Sequence, residues 1–172
     1  IGNKNYSSWS MRPWFAMKGA GIAFTEVVVS LYVPGGREEI LKHTPSGKVP
    51  CLIDGGVTVW DSLAIVEYLN EKFPDKKLWP QDGAARALAR SVSAEMHSSF
   101  QGLRSECGMN VRRKPARRDL SEQAVADIAR VQQIWADCRA RYGKGGPFLF
   151  GAFTATDAMY APVVSRFLSY AI

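Results

Sequence analysis

Asp61-Ser62 couples a carboxylate to a hydroxyl where a β-branched run gives way to helical spacing. The apolar residues that follow, Leu63, Ile65, Val66 and Leu69, fall on one side of a helix. Either Asp61 or Ser62 is therefore its N-cap. A helix start offers free backbone N–H groups and the positive end of the helix dipole, a natural seat for a carboxylate ligand. Upstream, Val49-Pro50 stands at the mouth of an apolar run, where a proline cannot donate to a sheet ladder.

The elements that must position these residues are readable around them. Cys51-Leu52-Ile53 and Val57-Thr58-Val59-Trp60 are two short strands. The Asp54-Gly55-Gly56 between them can take positive φ and close a hairpin. Nearer the start, Ile1 has the look of a strand already under way, and Tyr6-Ser7-Ser8-Trp9-Ser10 forms a polar loop. Met11 to Lys18 carries helical spacing, with Pro13 expected in the first turn. Phe24 to Leu31 is a strand by its β-branched content, and Arg37 to Lys42 is a short helix or turn. The order is β-α-β-α-β-β-α.

After Phe73–Pro80, which reads as a linker with its two prolines and three charges, no strand pattern returns. Ala84 to about Cys107 and Ser121 to Tyr142 are two long helices, and Thr154-Ala155-Thr156-Asp157 is a capping box opening a third. The expected organisation is an α/β domain over residues 1–77 and an all-α helical domain over 81–172. Both ends look cut, the first strand lacking its opening residues and the last helix stopping at Ile172.

At 172 residues, 47% hydrophobic and 22% charged, the chain can bury a sizeable core. No apolar run approaches the roughly 20 residues that span a bilayer, no secretory leader is legible, and no membrane partner is expected. Cys51, Cys107 and Cys138 are odd in number and widely spaced, the pattern of free thiols in a reducing cytoplasmic setting. His43 and His97 are too far apart in sequence to suggest a metal site, so no metal is expected. The net charge of +6 is densest at Arg112-Arg113-Lys114-Pro115-Ala116-Arg117-Arg118. That run lacks aromatic residues on which bases could stack, so it reads as a solvated loop and no nucleic-acid partner is expected.

Pro45-Ser46-Gly47-Lys48-Val49-Pro50 followed by Asp61-Ser62-Leu63-Ala64-Ile65 resembles the thioredoxin-like N-terminal domain of glutathione transferases. The family writes N-P-x-x-x-V-P and [ED]-S-x-A-I at the same separation. The chain departs from that pattern with Thr44 for the usual Asn and with Asp61 where Glu is commoner. The resemblance implies a thioredoxin-like domain followed by an all-helical one, with glutathione as substrate or cofactor. It further implies attack by the bound thiolate on a small hydrophobic electrophile held between the domains, and a homodimer.

Carried onto this sequence, the resemblance assigns Val49 and Pro50, joined by a cis bond, to the cysteinyl part of glutathione. Lys48 faces the glycyl carboxylate, and Asp61 and Ser62 hold the γ-glutamyl ammonium and carboxylate. The thiol, with an ordinary pKa near 8.5, needs a donor to favour its ionised form near neutral pH. In relatives of the zeta and tau classes that donor is a serine about five residues before the arginine of the first helix. Counting back from Arg12 gives Ser7, with Ser8 and Ser10 as close alternatives; Ser10 also reads as the helix N-cap. Met96, Phe100 and Leu103 are the expected walls of the electrophile pocket. The competing readings are a glutathione-dependent isomerase and a non-catalytic binding or scaffold module on the same fold.

Overall fold

The computed structural model describes residues 1–172. Helix α1 (Ser8–Gly19) begins three residues before its apolar spacing does, because Ser7 caps it: the Ser7 hydroxyl accepts from the Ser10 N–H. Ser10 is thus inside the helix rather than at its cap, and Pro13 lies in the second turn. Helix α2 (Gly36–Leu41) follows Gly35, whose φ of 75° only glycine adopts freely.

Strands β1 (Cys51–Asp54) and β2 (Val57–Trp60) form an antiparallel hairpin that pairs Cys51 with Trp60 and Asp54 with Val57. Gly55 turns it at φ 58°, as the Asp-Gly step predicts. The stretch from Phe24 to Leu31 is extended but is not a strand of this sheet. A ladder needs successive pairs, and only Ile1 supplies any: its amine donates to Val27 O (2.8 Å) and its carbonyl accepts from Val29 N–H (2.9 Å). The strand expected at Ile1 is this single pairing. A groove of about 420 Å³ runs between that stretch and β1, lined among others by Met17, Phe24, Val27, Leu52 and Leu69.

Helix α3 (Ser62–Lys72) packs on both strands and on α1. The following segment is no free linker. Leu78 and Trp79 are each 1% exposed and join Ala16, Ile65, Val66 and Leu69 in one core, together with Ala89, Ala155 and Ala158 from the helical half. The Leu78 carbonyl accepts from Ala155 N–H at 2.7 Å.

The long helix expected from Ala84 to Cys107 is two, α4 (Gly83–Ser98) and α5 (Gln101–Glu106). Ser99 is extended and Phe100 takes φ 65°. The break is held from the next turn: the Arg104 guanidinium donates to the carbonyls of Met96, His97 (3.1 Å) and Ser99 (2.8 Å), satisfying the end of α4. Helix α6 (Glu122–Tyr142) is capped by Ser121, and α7 (Ala155–Tyr170) opens on the expected box, Thr154 with Asp157. α7 packs along α1 and α4 and contributes to both cores. The architecture is a thioredoxin-like half with a small sheet, followed by a helical half. No helix is long and apolar enough to cross a membrane.

Candidate active site

Three backbone features converge: the N-terminus of α1, the loop ending at Val49-Pro50, and the N-terminus of α3. Gly2 joins the first two. A Cβ at Gly2 would meet Leu31 Cδ1 at 2.7 Å, Val49 Cγ2 at 3.1 Å and Ser7 Oγ at 3.2 Å, so Gly2 is packed among the serine loop, the strand mouth and the stretch ending at Leu31. The Val49–Pro50 peptide bond is cis. Arg12, on α1, joins the third feature by donating from Nη1 to Ser62 Oγ at 3.4 Å.

The serines of the loop differ in what their hydroxyls do. Ser10 Oγ accepts from Gly2 N–H at 3.0 Å and from Ser7 Oγ–H at 2.9 Å. Ser7 Oγ also accepts from Ser10 N–H. Ser8 is buried, and its N–H donates to Tyr6 O at 3.0 Å. All three sit at the first turn of α1, where the positive end of the helix dipole favours an anion.

Asp61 is exposed and held at φ 73°, where a non-glycine backbone is strained. Its Oδ1 accepts from Leu63 N–H (2.8 Å) and Ala64 N–H (3.4 Å), so Asp61 is the cap of α3. Ser62 is fully buried. Lys48 is exposed, its N–H bound to Ser46 Oγ and its ammonium in no ion pair.

Sequence reasoning used Arg12 only as a landmark. Its side chain is wholly buried, and its Nε and Nη2 have no partner. Burial first, then the charges of Arg104 and Arg166, lower its pKa to about 9, against the opposing pull of Asp61. Trp9 covers it, the guanidinium lying 4.3 Å from the indole centre. His97, from the end of α4, reaches Asp61 Oδ2 at 3.3 Å. Neither carries a sequence signal as a site residue, since each is a single polar residue on a helix whose partner is far off in sequence.

Met96, Phe100 and Leu103 do not line a cleft. They are 0%, 5% and 0% exposed and belong to the core that α4 and α5 make with α6 and α7. Apolar residues at helical spacing bury against neighbouring helices first. What stands beside the serine loop instead is the segment after α5. Asn5 binds it three times, donating from Nδ2 to Asn110 Oδ1 (2.9 Å) and accepting from Arg112 N–H at Oδ1 (2.9 Å) and Val111 N–H at its carbonyl (3.3 Å). α7 grips the same segment from behind through Arg166 to Cys107 O (2.7 Å), Tyr170 to Gly108 O (3.1 Å) and Ser169 to Asn110 O (3.0 Å). The basic residues 112–118 are exposed at its surface.

Residues 6–72 match the family model for the glutathione S-transferase N-terminal domain. Curated relatives include a maleylacetoacetate isomerase of Rattus norvegicus, 39% identical over 101 residues (57% of this chain, 46% of that protein). Residues 6–72 are a glutathione S-transferase N-terminal domain. A zeta-class glutathione S-transferase of Euphorbia esula is 35% identical over 106 residues, 60% of this chain and 47% of that one. The chain thus spans about half the length of the curated relatives it matches. Among solved structures, a glutathione transferase homolog from Burkholderia with bound glutathione superposes with a TM-score of 0.70 at 24% identity. It covers 96% of this chain and 78% of that one. A bacterial zeta-class maleyl pyruvate isomerase also gives 0.70, at 20% identity, over 96% and 81%. At those identities the transferase fold is what is shared.

Proposed function

We propose that the chain is the glutathione-binding and thiol-activating part of a glutathione transferase. The peptide lies along the cis Val49-Pro50 edge, with its γ-glutamyl carboxylate at the N-terminus of α3 beside Ser62 and its ammonium on Asp61. Lys48 faces the glycyl carboxylate. The observation that carries the reading is the convergence at Gly2, which brings a serine hydroxyl and the cis-proline edge within one side chain's reach.

Ser7 is the thiolate donor. Its Oγ receives the Ser10 N–H and stands 2.9 Å from Ser10 Oγ, which in turn receives Gly2 N–H. Hydroxyl protons rotate to suit their partners. The Ser7 hydroxyl, which donates to Ser10 Oγ in the free chain, turns onto the bound sulfur, and Ser10 O–H, polarised by Gly2 N–H, then donates to Ser7 in its place. Ser10 is then a positioning residue, and Ser8 the neighbouring alternative. A charge-assisted hydrogen bond of this kind, with the α1 dipole behind it, favours thiolate over thiol.

The reaction is attack of that thiolate on an electrophile beside the loop, under the basic segment 112–118, whose charge favours an electrophile bearing carboxylates. Isomerisation with glutathione regenerated is a second reading, favoured by the zeta-class relatives named for it. We further propose a homodimer, and a cytosolic setting in keeping with three unpaired cysteines. The test is the ultraviolet absorbance of bound thiolate, titrated with pH in wild type and Ser7→Ala. The reading expects a thiol pKa well below its solution value in wild type and raised in the variant. A wild type that binds glutathione without ionising it leaves the binding-module alternative standing.

A further inference from the structure

His97 closes the end of α4 against the start of α3. Its Nε2 lies 3.3 Å from Asp61 Oδ2, the one carboxylate oxygen that the α3 cap leaves free. The ring is held edge-on to Trp9, with centroids 5.2 Å apart and planes at 79°. Trp9 in turn lies against the guanidinium groups of Arg12 (4.3 Å) and Arg104 (5.1 Å). His97 Nδ1 is buried and has no partner.

The charged groups facing this imidazole are Asp61 from the α3 cap, Arg12 from α1 and Arg104 from α5. Burial is the largest influence and lowers its pKa below the ordinary 6.5; Arg12 and Arg104 push the same way and Asp61 opposes them. At neutral pH the ring is therefore neutral, with one N–H. The contact with a carboxylate oxygen assigns that proton to Nε2. Protonation would put an unpartnered N–H at the buried Nδ1 and a positive charge into a half-buried position, the costlier of the two states.

We propose that His97 is a positioning residue for the amine of glutathione: as a neutral donor it orients Asp61 Oδ2 toward the ammonium, and once protonated it competes with that ammonium for the same carboxylate. The inference rests on the reading of Asp61 as the ammonium's partner. It adds that a residue of the helical half sets the affinity of the thioredoxin-like half, and that this affinity falls as pH drops through the His97 titration.

The direct measurement is calorimetric titration with S-methylglutathione between pH 5 and 7. The thiol is blocked, and the peptide's carboxylates (near 3.5) and amine (near 8) titrate outside that window. The wild type is expected to lose affinity by roughly tenfold from pH 7 to pH 5, the size of an ordinary coupling between two sites. His97→Gln, which keeps an amide N–H for Asp61, should bind at pH 7 within about threefold of wild type and show no such loss. An unchanged pH dependence in His97→Gln overturns the proposal. The wild type alone supplies a second reading. Binding measured between pH 5 and 7 in two buffers of unlike ionisation enthalpy should release part of a proton as the pH falls, and no release anywhere in that window overturns the proposal without any variant. A wild type that fails to bind S-methylglutathione at pH 7 strikes the glutathione site itself, whereas binding with a flat wild-type profile removes only the role of His97.

Discussion

Arg12 Nη1 lies 3.4 Å from Ser62 Oγ, and the arginine behind that contact has no solvent exposure at all. A cation therefore stands inside the protein directly behind the first turn of α3, with two of its three nitrogens unpartnered. Buried charges cost stability unless paired, and replacing one by an apolar residue of similar volume is often neutral or stabilising.

Arg12→Met is accordingly expected to leave unfolding stability unchanged or raised. Glutathione affinity should fall by about 1.5–3 kcal/mol, the range for a hydrogen bond to a charged group. Chemical denaturation and calorimetric titration of one sample read both. A large loss of stability with intact affinity would make Arg12 a purely structural residue.

Ser7→Ala should reduce turnover of an electrophile near neutral pH by roughly 10- to 1000-fold, equivalent to about 1.4–4 kcal/mol. Activity should recover as pH rises and the thiol ionises unaided. Ser10→Ala should give a smaller defect of the same kind, because it weakens the chain of donors without removing the last one. Equal defects, or a larger one in Ser8→Ala, would move the donor to another hydroxyl of the loop.

Asn5→Ala removes two of the three hydrogen bonds between the serine loop and the segment 110–112. Neither group is part of the glutathione seat. The expected result is an electrophile KM raised several-fold with glutathione affinity held, and faster amide exchange over residues 3–7 and 110–112. Exchange unchanged in both segments would show that the loop is held by other contacts.

The thiols make a separate prediction. Burial, with Asp137 adding to it, pushes Cys138 up to about 11, and burial raises Cys107 as well. Cys51 is the most exposed of the three, although burial raises it too. An aromatic disulfide reagent near pH 8 should label Cys51 first, and Cys107 and Cys138 only on unfolding, since the thiolate is the reactive form. Early labelling of Cys138 would contradict the packing of α6 on α7.

Much of this was legible in the sequence because its causes are local. Asp54-Gly55 determines its own turn, Thr154 and Asp157 their own capping box, and Asp61 its own cap. The cis-proline edge and the Asp-Ser pair were found by a resemblance whose motifs are contiguous. The rest depends on partners that spacing does not reveal. The break at Ser99-Phe100 is held by Arg104, a residue beyond the break whose side chain turns back. Ser7 takes the cap ahead of Ser10 because Ser10 Oγ is needed by Gly2 N–H, a strand-mouth group outside the helix. Met96, Phe100 and Leu103 carried the pattern of a core and were core; a pocket wall needs a vacancy opposite it, and periodicity says nothing of vacancies. Arg12 and His97 are single polar residues on helices, legible as site residues only once Ser62 and Asp61 are seen beside them.

The burial of Leu78 and Trp79 bears on how a ligand could come and go. A connector that is itself core cannot act as a pivot: swinging the two halves apart would have to draw an indole of 1% exposure out from among Ala16, Ile65, Ala89 and Ala158. Hinged closure needs a few free residues to absorb the rotation, and the path between α3 and α4 has none to spare at that wedge. The separation of the two halves is then fixed at that wedge, and access to the serine loop should depend on unlatching the segments that Asn5 ties together, not on the opening of a jaw.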